Sequence, residues 1–140
     1  MLRWLAVEPG DKVLDVGSGS GWTSALLASL TGRRGKVHAV ELLSELLAFG
    51  RDNCQRLNIR NVRFHQAGKG FGWPAEAPYD RILVSAAADD MPEELLDQLK
   101  APGRMVVPVR NTVYVIEKDE KGKVSERAEP GFMFVPLVRG

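Results

Sequence analysis

The chain has 140 residues, 44% of them hydrophobic and 26% charged, with 19 basic against 18 acidic side chains and a net charge of +1. This balance gives no basis for expecting a nucleic-acid partner, and no apolar run approaches the roughly 20 residues that cross a bilayer, so we expect no membrane partner. The N-terminus lacks the layout of a secretory signal, and the single cysteine, Cys54, excludes a disulfide framework. We therefore expect one cytoplasmic domain over residues 1–140.

Short apolar runs alternate with helical patterns along most of the chain, as in βαβ units. Apolar, β-branched runs predict strands at 12–16, 35–41, 61–65, 79–84 and 104–109. An Ala/Leu-rich stretch predicts a helix over 22–30, and apolar residues three or four apart predict a second over 43–57. Asp90 as N-cap, Glu93 three residues later and Lys100 before Gly103 predict a third helix over 90–100.

The helical pattern disappears after Pro108. Residues 112–118, 123–127 and 132–138 are predicted strands, the first two joined by a charged turn. Connections this short cannot form parallel crossovers, so these strands must be antiparallel. The expected fold class is therefore α/β: a Rossmann-like, doubly wound, mostly parallel sheet with an antiparallel C-terminal edge.

A glycine-rich segment lies between the first predicted strand and the first predicted helix. Gly17, Gly19 and Gly21 let the backbone approach a ligand closely, and the helix N-terminus offers free N–H donors. Trp22 stands where the dinucleotide pattern GxGxxG needs its third glycine, so NAD or FAD is a minor alternative. Glu41 ends the second strand about twenty residues later, where an acid binds ribose hydroxyls; capping the next helix is its alternative role.

An acidic residue, Asp15, directly precedes these glycines at the end of the first strand. Its carboxylate can accept N–H groups of the loop and hold the turn open. The sequence therefore predicts a loop supported from below by Asp15, with or without a ligand.

The stretch DVGSGSGWTSALLA, residues 15–28, resembles the first motif of class I S-adenosylmethionine-dependent methyltransferases. More narrowly, the chain is similar to the protein-L-isoaspartate O-methyltransferase family. That similarity is carried by GWPAEAPYDRI at 72–82, VSAAA at 84–88, LDQLKAPGR at 96–104, VPV at 107–109 and FVPL at 134–137. Several matching stretches in order make this a far more specific signal than the glycines alone.

The resemblance implies methyl transfer from S-adenosylmethionine to the α-carboxylate of L-isoaspartyl residues, so the expected partners are isoaspartyl peptides or damaged proteins. A carboxylate with a pKa near about 4 is ionised at neutral pH and needs no catalytic base, so we assign no catalytic residue and no metal. The resemblance places the substrate cleft on Ser85, Ala86, Ala87 and Val135. It places the cofactor on Asp15, Gly17, Ser18, Gly19, Ser20, Gly21, Glu41, Leu42, Gly68 and Lys69.

The chain departs from the family pattern in two places. Family members carry an N-terminal segment with a Thr-Ile-Ser stretch that helps hold the isoaspartyl carboxylate, whereas this chain begins just before the first strand. We expect an apolar face to be exposed as a result and open to self-association. The family also reads Gly-Asp-Gly after the third strand, where this chain has Ala67, Gly68 and Lys69, so weaker cofactor binding is expected.

Two other functions remain open. The chain could be a non-catalytic cofactor-binding or interaction module with the same fold, or a methyltransferase acting on RNA or a small molecule. The second is disfavoured because residues 85–88 stand where amino-group methylases carry an Asn/Asp-Pro-Pro-aromatic motif. His38, His65 and Cys54 fall on core patterns and are expected to be structural, and Trp73 is expected to plug the loop before the fourth strand.

Overall fold

A computed structural model describes residues 1–131 and residue 137. The described strands form one seven-stranded sheet in the order β3-β2-β1-β4-β5-β6-β7. Their bounds are β1 Lys12–Val16, β2 Lys36–Glu41, β3 Val62–Gln66, β4 Tyr79–Val84, β5 Leu99–Val109, β6 Thr112–Lys118 and β7 Val124–Pro130. Strands β1 to β5 pair in parallel, and β6 and β7 add antiparallel. The predicted fold class is confirmed.

The helices are α1 (Leu2–Leu5), α2 (Trp22–Thr31), α3 (Ser44–Arg56) and α4 (Glu93–Leu96), with a 3₁₀ turn at Pro74–Glu76. Helices α2 and α3 agree with the sequence prediction to within a residue or two. Among the described residues, no helix has both the length and the apolar character that spanning a bilayer demands. The last predicted strand, with the predicted cleft residue Val135, falls outside the described residues apart from residue 137.

The third predicted helix is wrong in extent. Only Glu93–Leu96 is helical, and Asp90 does not cap it. Leu99 opens β5, because its backbone pairs with Tyr79 of β4 and the Tyr79 N–H donates to the Gln98 carbonyl oxygen at 2.8 Å. A longer helix and a strand paired with β4 would both satisfy the backbone N–H and C=O groups around Leu99. The strand pairing also buries the Leu99 side chain, which is only 3% exposed. Tertiary pairing therefore outweighs the local capping signals.

The sheet has two buried faces because side chains alternate along each strand. Val13 and Leu83 lie on the face that α1, α2 and α3 cover. Leu14 and Tyr79 lie on the opposite face, under α4 and the loop that precedes β4. Since β1 to β4 are parallel, their carboxyl ends share one edge, where an open α/β sheet binds its ligands.

Aromatic rings stack under the loop before β4. His38 on β2 and His65 on β3 share a hydrogen bond of 2.9 Å between Nδ1 and Nε2. Trp73 stacks on His65 with ring centroids 4.2 Å apart, and the Tyr79 hydroxyl donates to the Trp73 carbonyl oxygen at 2.6 Å. Burial, with a smaller contribution from His65, lowers the pKa of His38 to about 4. Trp73 thus closes the loop as predicted, and the histidines belong to the packing beneath it.

We expect His38 to make the protein less stable in acid. Between pH 6.5, the ordinary pKa of histidine, and about 4, the unfolded chain binds a proton at His38 that the folded chain does not, so lowering the pH favours unfolding. Asp15 acts in the opposite direction over much of this range, because burial raises its pKa to about 6. The His38 contribution is therefore measured as a difference between wild type and His38→Leu.

The measurement is urea unfolding of both proteins at about pH 7.5 and about pH 5. On acidification the free energy of unfolding should fall further in wild type than in His38→Leu, which lacks the titrating ring. Parallel changes in the two proteins would show that His38 is not the group responsible.

Candidate functional site

The loop of residues 17–21 joins β1 to α2 and turns at glycines. A Cβ on Gly21 would lie 2.8 Å from the backbone of Gly50 in α3, so this position has no room for a side chain. At Gly19, which has a φ of 55°, nothing lies within 4 Å of such a Cβ. Gly21 therefore serves packing, whereas Gly19 lies on the open side of the loop, where a ligand can approach.

Glu41, the last residue of β2, holds the open part of the loop in place. Its Oε1 accepts the Gly19 N–H at 2.8 Å and its Oε2 accepts the Leu43 N–H at 3.1 Å. The residue is 9% exposed, so the carboxylate is desolvated but not sealed off. A carboxylate has about four acceptor positions, so two backbone N–H groups leave it able to accept hydroxyl groups from a ligand.

The sequence predicts that Asp15 accepts N–H groups of the loop, and the structure corrects this. Asp15 lies on the helix side of the sheet, fully buried, and accepts the Ser24 hydroxyl at 2.6 Å and the Ser85 hydroxyl at 3.4 Å. Burial raises the pKa of Asp15 to about 6, and the two hydroxyl groups partly oppose that rise. The loop N–H groups of Gly17 and Ser18 donate instead to the Val40 carbonyl oxygen, at 2.9 and 3.1 Å.

The hydroxyl of Ser18 is a buried polar atom without a hydrogen-bond partner among the described residues. An unpaired hydroxyl in a nearly dry position costs free energy, which a polar group of a ligand can recover. Together with the open space at Gly19 and the acceptor capacity of Glu41, this donor set fits a cofactor with ribose hydroxyls.

Two further predicted cofactor residues, Ser20 and Leu42, are tied down through their carbonyl oxygens. Asn53 of α3 donates its side-chain amide to Ser20 at 2.9 Å, and Gln66 of β3 donates to Leu42 at 2.7 Å. Sequence reasoning missed Asn53, Gln66 and Ser24. A polar Ser24 in an apolar helix was a usable signal, whereas nothing in the sequence marks Gln66.

The predicted substrate-cleft segment lies directly against the glycine loop. The Ser85 N–H donates to the Val16 carbonyl oxygen at 3.0 Å, which aligns the segment with the end of β1. The Ala86 methyl group is 4.0 Å from the place that a Cβ on Gly17 would take. The Ala87 carbonyl oxygen accepts the backbone N–H of residue 137 at 2.7 Å.

Gly68 and Lys69 follow β3 at the same edge of the sheet. The preceding residue, Ala67, donates its N–H to the Glu41 carbonyl oxygen at 2.9 Å, so both residues begin close to the end of β2. They line a cavity of about 550 Å³ that extends to Trp73 and α4. Gly68 has nothing within 4 Å of a Cβ, so a side chain fits there.

We expect substitution of Gly21 to damage the loop through contact as well as through backbone strain. Gly21 and Gly122 have the same φ of 83°, but a Cβ on Gly122 meets nothing within 4 Å. Gly122→Ala should lower the free energy of unfolding by about 1–2 kcal/mol from strain. Gly21→Ala should lower it by roughly 1–3 kcal/mol more, because its methyl group overlaps Gly50. Urea unfolding measures both, and equal losses would contradict the contact.

Comparison with known proteins agrees with this geometry. The sequence matches the protein-L-isoaspartate(D-aspartate) O-methyltransferase family over residues 1–140. A protein-L-isoaspartate O-methyltransferase from Aeropyrum pernix is 45% identical, with 99% of this chain and 55% of the relative covered. One from Methanopyrus kandleri is 43% identical, with 99% and 63% covered. The chain therefore spans a little over half the length of these curated relatives.

Solved structures give the same result. A protein-L-isoaspartate O-methyltransferase superposes with a TM-score of 0.87 at 28% identity, covering 96% of this chain and 44% of the other. A Plasmodium falciparum homologue solved with S-adenosyl-L-homocysteine superposes with a TM-score of 0.79 at 25% identity, covering 99% and 70%. The family match over residues 1–140 leads to one conclusion: this chain belongs to the protein-L-isoaspartate O-methyltransferase family.

Proposed function

We propose that this chain binds S-adenosylmethionine at the edge formed by the glycine loop and Glu41, and methylates the α-carboxylate of L-isoaspartyl residues in proteins. The observation that carries the proposal is the hydrogen bond from the Gly19 N–H to Glu41 at 2.8 Å. It joins the loop after β1 to the acid at the end of β2 in the arrangement that binds nucleosides in doubly wound folds. Family membership over residues 1–140 supports the choice of cofactor and substrate.

Each proposed cofactor residue would make a different contact. Glu41 would accept the ribose hydroxyls, Ser18 would pair its buried hydroxyl, and the backbone at Gly19 would approach the cofactor closely. When bound, S-adenosylmethionine supplies a methyl group activated by the neighbouring sulfonium. Asp15 would act from beneath the loop as a positioning residue, since its contacts are hydroxyl groups of Ser24 and Ser85.

The proposed substrate residues are Ser85, Ala86 and Ala87. Their small side chains leave room for a peptide backbone beside the glycine loop, against which Ala86 packs. The substrate carboxylate is ionised at neutral pH, so these residues need to align it rather than deprotonate it. The proposed reaction thus requires the residues at this edge of the sheet to position the substrate carboxylate, and it requires no general base.

A second function is favoured by one specific observation. Gly68 offers no side-chain acceptor at the edge of the proposed cofactor site. A non-catalytic cofactor-binding module is therefore the alternative.

The cytoplasmic location expected from the sequence stays a prediction.

Two measurements test the proposal. Calorimetric titration with S-adenosylhomocysteine should show binding, and the chain should methylate an isoaspartyl peptide but not the matched aspartyl peptide. Binding without transfer would favour the non-catalytic module. Equal labelling of both peptides would contradict the substrate, and a folded chain that does not bind would contradict the site.

Glu41→Gln should weaken S-adenosylhomocysteine binding by about tenfold or more, because hydrogen bonds to a charged acceptor are stronger than those to an amide. Glu45→Gln, an exposed acid in the first turn of α3, is the matched control and should bind like wild type. Calorimetry measures both affinities. Equal affinities for the two variants would remove Glu41 from the site.

Gly68→Asp should tighten binding by roughly two- to twelvefold, since one added hydrogen bond contributes about 0.5–1.5 kcal/mol. The open space around Gly68 lets the side chain enter without displacing a neighbour. Gly68→Ala controls for the backbone, because it adds a Cβ without an acceptor. If both variants bind alike, the position does not face the cofactor.

A further inference from the structure

A second concave surface lies on the helical face of the sheet, between α2 and α3. A cavity of about 410 Å³ is lined by Trp22 and Ala25 of α2, by Phe49 of α3 and by Leu57, which directly follows α3. It adjoins a second cavity of about 870 Å³, lined by Arg33, Arg60 and neighbouring residues beyond the C-terminal ends of the same helices. We call these two cavities together the α2–α3 trough. The first cavity is also bordered by Ser20 and Gly21 of the glycine loop.

The first half of the α2–α3 trough is apolar and concave. Trp22 is 65% exposed, Phe49 53% and Leu57 58%, which is unusual for side chains of this size in one place. The lining residues Ala25 and Cys54 are buried to 7% and 2% exposure. The trough therefore has a recessed floor between raised aromatic and aliphatic walls, which is the shape that receives a helix.

The second half of the α2–α3 trough is basic. Arg33 and Arg60 line it, Arg56 lines the apolar half, and all three are exposed. Within residues 1–131 and residue 137, no carboxylate forms an ion pair with any of them. These guanidinium groups are therefore available to a partner.

The arginines of the α2–α3 trough indicate which kind of molecule binds there. In the part of the chain that the structure describes, the lining of the α2–α3 trough contains no carboxylate, so a second copy docked trough to trough about a two-fold axis would leave Arg33 and Arg60 without a partner. A flat bilayer would meet the walls but not the recessed floor. An acidic, amphipathic helix satisfies both halves, placing apolar side chains on the floor and carboxylates on the arginines.

We propose that the α2–α3 trough binds a short amphipathic helix of a partner protein, with apolar anchors three or four residues apart and acidic residues at one end. Helix α2 has 10 residues and so spans about 15 Å, which sets the length of the partner segment at roughly 10 to 12 residues. The apolar half borders Ser20 and Gly21 of the glycine loop, but the proposed helix contact uses neither the cofactor nor the methyl transfer, so this proposal does not rest on the proposed function.

The test uses the full chain and fluorescein-labelled synthetic helices of roughly 12 residues, with leucines at the anchor positions. One peptide ends in glutamates and the other carries lysines in their place. Fluorescence anisotropy should show micromolar binding of the acidic peptide, weakening as salt is added, and much weaker binding of the basic one. Equal binding of the two peptides, or no binding of the acidic one, would overturn the proposal.

Charge reversal locates the binding. The double variant Arg33→Glu/Arg60→Glu should weaken the acidic peptide by about tenfold or more and should bind the lysine peptide better than wild type does. The matched control Lys121→Glu/Lys123→Glu reverses two exposed charges at the β6–β7 turn and should leave binding unchanged. Both doubles alter exposed side chains, and circular dichroism checks that they fold. Equal effects of the two doubles would overturn the proposal.

Two further measurements distinguish the other occupants. Sedimentation velocity should show a monomer. A dimer that the variant Trp22→Ser abolishes would show that a second copy of the chain, rather than a partner helix, occupies the α2–α3 trough. Vesicles of phosphatidylcholine and phosphatidylglycerol should not compete with the acidic peptide. Displacement of the peptide by those vesicles would assign the α2–α3 trough to a membrane surface instead.

Discussion

The contact between Gly21 and Gly50 is the constraint on which both the proposed cofactor edge and the α2–α3 trough depend. A Cβ on Gly21 would lie 2.8 Å from the Gly50 backbone and has no room, whereas a Cβ on Gly50 would lie 3.2 Å from the Gly19 carbonyl oxygen and the Gly21 nitrogen, so the loop would have to move by a few tenths of an ångström. Helix α3 can therefore lie close against the glycine loop, near enough for Asn53 to bond Ser20 at 2.9 Å. The same close approach sets the spacing of α2 and α3 and hence the trough between them.

Asp15 and Glu41 lie at the carboxyl ends of the neighbouring strands β1 and β2, but they differ in burial. The side chains of a strand alternate between the two faces of the sheet, and each acid stands at a different distance from the end of its strand. Asp15 is fully buried beneath α2, where hydroxyl groups partly oppose the rise in its pKa. Glu41 lies at the rim, where two backbone N–H groups hold it and solvent still reaches it. Asp15 therefore supports the loop from within the protein, and Glu41 is the acid that the proposed cofactor would meet. The difference in burial separates the proposed positioning role of Asp15 from the proposed binding role of Glu41.

The two faces of the sheet differ in how completely they are covered. On one face the histidine stack, Trp73 and Tyr79 are closed over by the loop before β4. On the other face α2 and α3 cover the strands but present Trp22, Phe49 and Leu57 outward. The second face retains apolar area that a further contact can bury.

Local chemistry in the sequence was enough to predict six of the seven described strands to within three residues, because buried parallel strands favour short β-branched runs; the N-terminal half of β5 was missed. It also marked Gly19 and Glu41, which the structure joins by a hydrogen bond. Three features were decided only by the tertiary structure. Leu99 became strand because β4 offered it a partner, Asp15 turned to hydroxyl groups because the sheet face places it under α2, and Gln66 came to hold Leu42. Each depends on groups far apart in the chain, and the free energy of such pairings exceeds local preference while leaving no periodic signal in the sequence.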